Sequence, residues 1–265
     1  MTTPQITKQQ QTILTHLYQY RFLNRTQIQS FLNHKTHNRI NSWLKNLYEN
    51  NFVKRIYSSN FGENTKPAIY SVGPNGIRFL KSQANLPPEQ VRKLYRESDR
   101  SENFVNRCVM LADICLTLRA AASTGGASGV TTTYTFSTAA DIADAENELH
   151  LLQHMKLQLI ITKQEGPSSH SYSAIEVFDP TIPNYAIRNR LRAFLGLYDD
   201  WARKIGEHFP SLLIICPTKA GMIYAKRYAK KLLDEIERPN DLKIRFTTVD
   251  KLKASGATGE IWESA

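Results

Sequence analysis

HKTHNRINSWLKNLYENNFVKR, residues 34–55, is the stretch on which the reading of this chain turns. Ile40, Trp43, Leu44, Leu47 and Tyr48 recur at steps of three and four, so an α-helix gathers them on one face. His37, Asn38, Arg39, Asn41, Ser42 and Lys45 fall on the rest of its surface. Asn50-Asn51 supplies the stop, because asparagine tolerates the left-handed backbone that ends helices. A helix with such a polar side faces either water or a partner, and its surroundings decide which.

Upstream, TKQQQTILTHLYQY (7–20) places Ile13, Leu14, Leu17 and Tyr18 on a helical face, with Thr7 as its cap. RTQIQSFL (25–32) repeats the pattern with Ile28, Phe31 and Leu32, opened by Asn24 or Thr26. Downstream the period shortens. FVKRIYSS (52–59) and AIYSV (68–72) read as strands joined by the turn-forming NFGENTKP (60–67). GPNG (73–76) then punctuates, and IRFLKSQA (77–84) begins a short closing helix. Three helices and a hairpin, in that order, predict a winged helix-turn-helix over residues 1–82.

That order gives the polar side of the third helix a meaning, since in this fold it enters the major groove while the hairpin touches backbone or minor groove. Asparagine can bond the adenine edge bidentately, which nominates Asn38 and Asn41, and Arg39 or Lys45 suits guanine or phosphate. Lys54, Arg55 and Lys66 flank a loop with Ser58, Ser59, Asn60 and Asn64, a set suited to phosphate contact. Charge agrees. The chain carries a formal net +10, and residues 1–100 account for all of it, with 15 Lys+Arg against 5 Asp+Glu. Residues 101–265 hold 19 of each. Basicity confined to one region is the footprint of a nucleic-acid-binding module, so double-stranded DNA is the expected partner. The alternative is a winged helix that contacts protein and has no DNA affinity.

The runs ILTHLYQYRFLNRTQIQSFL (13–32), NRINSWLKNLYENNFVKR (38–55) and AIYSVGPNGIRFL (68–80) resemble the N-terminal winged helix of the bacterial replication-relaxation family of plasmid and mobile-element proteins. The resemblance implies a DNA-binding protein acting in replication, mobilisation or transcriptional control.

QANLPPEQVRKLYRESDR (83–100) joins a Pro-Pro turn to a dense charge run without a sustained apolar face, and is expected to be a linker. A helix follows from Asn103, carrying Val105, Cys108, Leu111, Ala112 and Cys115, and ends at STGGASG (123–129). VTTTYTF (130–136), MKLQLIIT (155–162) and SYSAIEVF (171–178) read as strands, with the acidic DIADAENELH (141–150) as a loop or short helix. Then come a long helix at 184–208, a strand FPSLLIICP (209–217), a helix at 220–237 and a last strand LKIRFTTV (242–249). The order α-β-β-β-α-β-α-β predicts a mixed sheet with helices on its faces over 101–250, ahead of a tail at 251–265. The whole is α+β, and this second domain resembles the restriction-endonuclease-like nuclease fold, to which the second half of replication-relaxation proteins is similar.

The nuclease resemblance implies Mg²⁺ held by an acid on the second strand and a Glu/Asp-x-Lys on the third. HMKLQLII (154–161) has no acid, and two residues beyond Glu176 stands Phe178, followed by Asp179. The domain is therefore expected to be a nuclease-like scaffold without its catalysis, serving assembly or positioning through a protein partner or a second copy, with no metal or cofactor. The rival reading is a Mg²⁺-dependent nuclease built on Glu176, with Asp179 or with Asp141, Asp144, Glu146 and Glu148 folded back, or Glu102 from the preceding helix. His150 and His154 lack a third ligand at zinc spacing. Tyr172, Tyr185 and Tyr198 lack the context of a nucleophilic tyrosine. Arg188, Arg190 and Arg192 form a basic cluster that touches DNA, touches an acidic partner, or is solvated.

Three cysteines without ligand spacing argue against disulfides and zinc. No charge-free apolar run approaches the roughly 18 residues that span a bilayer, and MTTPQITKQQQ lacks a signal pattern. A cytoplasmic protein without a membrane partner is expected, and its 265 residues, 41% hydrophobic, suffice for a sizeable core.

Overall fold

The computed structural model describes residues 5–57, 65–83, 88–123, 132–143, 152, 157–165, 169–198, 201, 209–235 and 242–265. The chain divides into two compact units, residues 1–116 and 117–265. Its class is α+β, as the sequence predicts.

The first unit contains helices α1 (Lys8–Tyr20), α2 (Arg25–Phe31), α3 (His37–Glu49), α4 (Pro74–Gln83) and α5 (Pro88–Tyr95), and the start of α6 (Glu102–Ser123). Its strands are β1 (Leu23–Asn24), β2 (Val53–Ile56) and β3 (Ile69–Val72), in the order β1-β3-β2, all antiparallel. Ile13, Leu14, Leu17, Ile28, Ile40, Leu44 and Leu47 are buried, so the three helical stripes meet in one core. Five stripe residues are less deeply placed: Tyr18, Phe31, Leu32 and Trp43 are half-buried, and Tyr48 is 43% exposed. Asn33 and Asn51 take positive φ just beyond α2 and α3, where the asparagine side chain tolerates it.

Several features depart from the sequence reading. Strand β1 is two residues long, too short to leave a period, yet it completes the wing's sheet. Helix α4 starts at Pro74 inside GPNG, since a first-turn proline gives up no hydrogen bond. At Gly76 an added Cβ would meet the Phe52 carbonyl oxygen at 2.3 Å, so only glycine lets this helix sit so close to the start of the wing. The stretch 83–100, expected to be a linker, holds α5 with Val91 and Leu94 buried, and then a 3₁₀ turn, Glu97–Asp99. Glu97 is buried and accepts from Arg21 Nε at 2.9 Å. Two apolar residues three apart in a charge-dense run look like a solvated segment until their partners are known. The compact unit consequently runs past residue 100, to 116.

The second unit is built on a six-stranded sheet, ordered β4 (Thr132–Thr138), β5 (Leu159–Glu165), β6 (Ser169–Val177), β7 (Ser211–Cys216), β8 (Ile244–Thr248) and β9 (Glu263–Ser264). The first three strands are antiparallel, β6, β7 and β8 run parallel, and β9 is antiparallel to β8. Helices α7 (Ala139–Ala143), α8 (Asn184–Gly196), α9 (Lys219–Glu235) and α10 (Val249–Ser255) fall between them, preserving the expected element order. Parallel strands are covered on both faces, which is why SLLIIC of β7 is almost wholly apolar. Ile160, Ala174, Leu212, Ile214 and Phe246 of the sheet form one core with Leu191 and Phe194 of α8 and Met222, Ala225 and Ala229 of α9. The expected tail, 251–265, supplies the end of α10 and edge strand β9, paired to Arg245 and Phe246. Helix α8 stops at Gly196, and most of the remainder of its expected span lies outside the described residues.

Candidate nucleic-acid interface

Two buried glutamines place the helices of the first unit. Gln10 occupies the third position of α1, where its Oε1 accepts the Thr7 backbone N–H at 2.9 Å in a reciprocal capping box. Its Nε2 donates to Asn46 Oδ1 at 2.8 Å, tying α1 to α3. Gln27 repeats the device one helix later. With Asn24 as cap, its Oε1 accepts from Asn24 N, and its Nε2 donates to the Val109 carbonyl and to Asp113, both at 2.7 Å, tying α2 to α6. The end of α3 is held too, because Asn75 Nδ2 donates to the Asn50 carbonyl at 2.8 Å. A side chain that caps its own helix and reaches the next fixes both the start and the docking of that helix.

So held, α3 turns Ile40, Leu44 and Leu47 inward and exposes all six sequence-nominated residues: His37, Asn38, Arg39, Asn41, Ser42 and Lys45. Asn38, Asn41, Ser42 and Lys45, spaced three, four and seven from the first, form its outward stripe. Arg39 lies on a flank, its guanidinium 5.7 Å from the centre of the Trp43 ring. Lys45 approaches Glu49 at 3.8 Å, so the outward face also carries an acid outside the sequence-nominated set. On the wing, Lys54, Arg55 and Lys66 are exposed as expected. Ser58, Ser59, Asn60 and Asn64 lie outside the described residues.

Arg55 is more than a free cation. Its guanidinium sits 4.9 Å from the Tyr48 ring centre and 5.6 Å from that of Tyr57, rings 43% and 50% exposed. It also hydrogen-bonds Tyr70, its register partner on β3. Burial raises the Tyr70 hydroxyl above its usual pKa, against the pull of Arg55 and Arg25. Tyr48, Arg55 and Tyr57 thus form an amphipathic cluster linking α3 to the wing, with Arg held over aromatic faces. The sequence signal for it is an aromatic residue at the edge of the helical stripe.

The second unit treats its nominated residues differently. Glu176 is buried on β6, and its carboxylate accepts from Arg190 on α8. Phe178, where the nuclease pattern wants lysine, is buried beside the same guanidinium, 5.8 Å away. Asp179 Oδ1 accepts from the backbone and hydroxyl of Thr181, closing a turn. Asp141 accepts from the backbone and hydroxyl of Thr138, both at 2.8 Å, at the start of α7. Asp144, Glu146, Glu148, His150 and His154 lie outside the described residues. Strand β5 carries an acid after all, Glu165, because it extends further than the stretch expected. Glu165 is six residues from Leu159, the register partner of Ile175, hence roughly 20 Å along the hairpin from Glu176. Among the described residues no three of His, Cys, Asp and Glu gather as a metal site needs, and no helix is long and apolar enough to cross a membrane. Burial pushes the Cys108 and Cys216 thiols up to about 12, so both are inert core groups.

Three helices packed on a sheet whose last two strands form a hairpin define the first unit as a winged helix. Residues 14–143 match the family model described as replication-relaxation. No curated protein matches the chain. Among solved structures, a mutant of S. aureus MepR bound to oligodeoxyribonucleotide is 21% identical, over 44% of this chain and 80% of that one, at a TM-score of 0.25.

Proposed function

We propose that the first unit binds double-stranded DNA, with α3 in the major groove and the wing on the backbone, and that the chain acts in replication, mobilisation or transcriptional control of a plasmid or mobile element in the cytoplasm. One observation carries this reading: six polar residues of α3 lie at the surface, away from buried Ile40, Leu44 and Leu47 and beside the basic strand β2. The match of residues 14–143 to the replication-relaxation family model supports the setting. The second unit serves positioning or assembly in this reading. Metal-dependent cleavage at Glu176 is disfavoured because its carboxylate is buried against Arg190 and the lysine position is a buried phenylalanine.

The test is binding of the full chain to a random-sequence duplex pool, followed across a salt series. Affinity should fall steeply with salt as counterions compete for phosphates. Asn38→Ala and Asn41→Ala should change the preferred sequence, by about 1–3 kcal/mol for each base interaction removed. Lys54→Ala and Lys66→Ala should weaken all sequences alike. None should alter unfolding stability by more than about 0.5 kcal/mol, since these side chains are exposed. No duplex binding at low salt would overturn the proposal in favour of a protein-contacting winged helix.

A further inference from the structure

The zero net charge of residues 101–265 conceals a separation. Helices α8 and α9 together carry eight Lys and Arg, against only Asp234 and Glu235, both at the end of α9. Arg190 turns inward to Glu176, and Lys231 approaches Glu235 at 3.7 Å. Four of the others, Arg188, Arg192, Arg227 and Lys230, have no carboxylate partner among the described residues.

The two helices are joined by a pair of rungs. Arg188 Nη1 donates to the Tyr224 hydroxyl at 2.8 Å, and the Arg192 guanidinium lies 5.6 Å from the Tyr228 ring centre. Each step is four residues on both helices, so α8 and α9 run side by side in the same direction and their cations repeat about every 5–6 Å, one helical turn. Tyrosine holds each arginine in place without neutralising it, which keeps a fixed row of positive charge at the surface. Arg227 and Lys230 extend this row along the outer side of α9, where both are exposed. Tyr185, 62% exposed, and Ile223, 40% exposed, add large apolar surface on the same two helices.

We infer that the α8/α9 face of the second unit is a contact for the sugar-phosphate backbone of DNA, sequence-independent and additional to α3. Regularly spaced, unneutralised cations match a polymer that carries one negative charge per ~1.7 Å of duplex axis. This rests on the reading that the chain binds DNA, and it assigns to the second unit a share of the affinity.

The test compares the wild-type full chain with the triple variant Arg192→Ala, Arg227→Ala, Lys230→Ala, whose targets are surface groups outside the core. The variant should bind every duplex more weakly, with a salt dependence shallower by roughly 2.7 in the log–log slope, about 0.9 for each phosphate no longer neutralised. Its sequence preference should be that of the wild type. Wild-type binding with the affinity and slope of the variant unchanged overturns this inference and leaves the role of α3 standing. Wild-type failure to bind any duplex overturns both. Unchanged DNA binding with lost binding of a polyglutamate probe would reassign the face to an acidic protein.

Discussion

The α3 face and the Glu176 pocket both draw attention in the sequence through polar residues in a suggestive pattern, and the structure resolves them in opposite ways. On α3 the polar groups point outward, and Glu49 is the acid that meets one of their cations within the chain. At Glu176 the acid points inward and meets the guanidinium of Arg190. Polar groups whose counter-charge is supplied by the fold are explained by the fold. Polar groups held rigidly at the surface, without such compensation, are explained by something outside it. The difference is testable, because removing an internally compensated group should damage stability, whereas removing an outward one should damage binding.

The largest effect is expected at Arg190. Replacing it with leucine takes the guanidinium from a buried carboxylate, a change that typically costs about 3–5 kcal/mol. Denaturant unfolding should show this loss. The double variant Glu176→Gln, Arg190→Leu should recover much of it, since a neutral amide is less costly to bury than a charge. If Arg190→Leu unfolds at the wild-type midpoint, the pair is not a structural element, and the contrast with α3 collapses.

Gln10 sharpens the comparison from the other side, as an inward polar group that supports the outward face. Gln10→Ala removes half of a capping box and the bond to Asn46, which together contribute about 1–2 kcal/mol. Stability should fall by that amount. Affinity for DNA should fall as well, although Gln10 is buried, because α3 loses the bond that sets its position. Unchanged stability in Gln10→Ala would mean that the apolar stripe alone docks the helix.

Gln10 also marks the limit of what the sequence discloses. The stripe of Ile40, Leu44 and Leu47 is local, and its period alone gives the helix, its buried face and hence its outward residues. Thr7 and Asn24 are recognisable as caps for the same reason, each followed three residues later by glutamine. The second half of each glutamine's work is hidden, because Asn46 lies 36 residues from Gln10 and Asp113 lies 86 from Gln27. The missing lysine at Phe178 is visible in the sequence, but the cation that meets Glu176 comes from 14 residues away on another element. Stripe edges mislead differently: Tyr48 fits the helical period, but Arg55 of the wing sits over its exposed ring. The second basic face is masked by a sum, since 19 cations balance 19 anions although eight of the cations fall on α8 and α9 with only two of the anions.

The smallest effect is one of pH, and its sign differs between the units. Glu97 and Asp113 of the first unit both have raised pKa values, chiefly through burial, opposed at Glu97 by Arg21 and Arg100 and at Asp113 by the Gln27 hydrogen bond. An acid with a raised native pKa contributes stability that is complete below its unfolded pKa and lost as pH rises through the native one. The first unit should therefore become less stable as pH climbs above the ordinary carboxylate range of about 4. Glu263 of the second unit is lowered, first by its hydrogen bonds from Lys251 and Lys226, so its contribution is present above its unfolded pKa and lost as pH falls. It is partly exposed, so solvent screening makes its effect the weaker one. Amide exchange measured on each unit between about pH 4 and about pH 7 separates the two slopes. Glu97→Gln should flatten the decline in the first unit and leave the second unchanged. A decline that survives in both Glu97→Gln and Asp113→Asn would show that the buried carboxylates are not its source, and that the Arg21 pair outweighs the cost of burying Glu97.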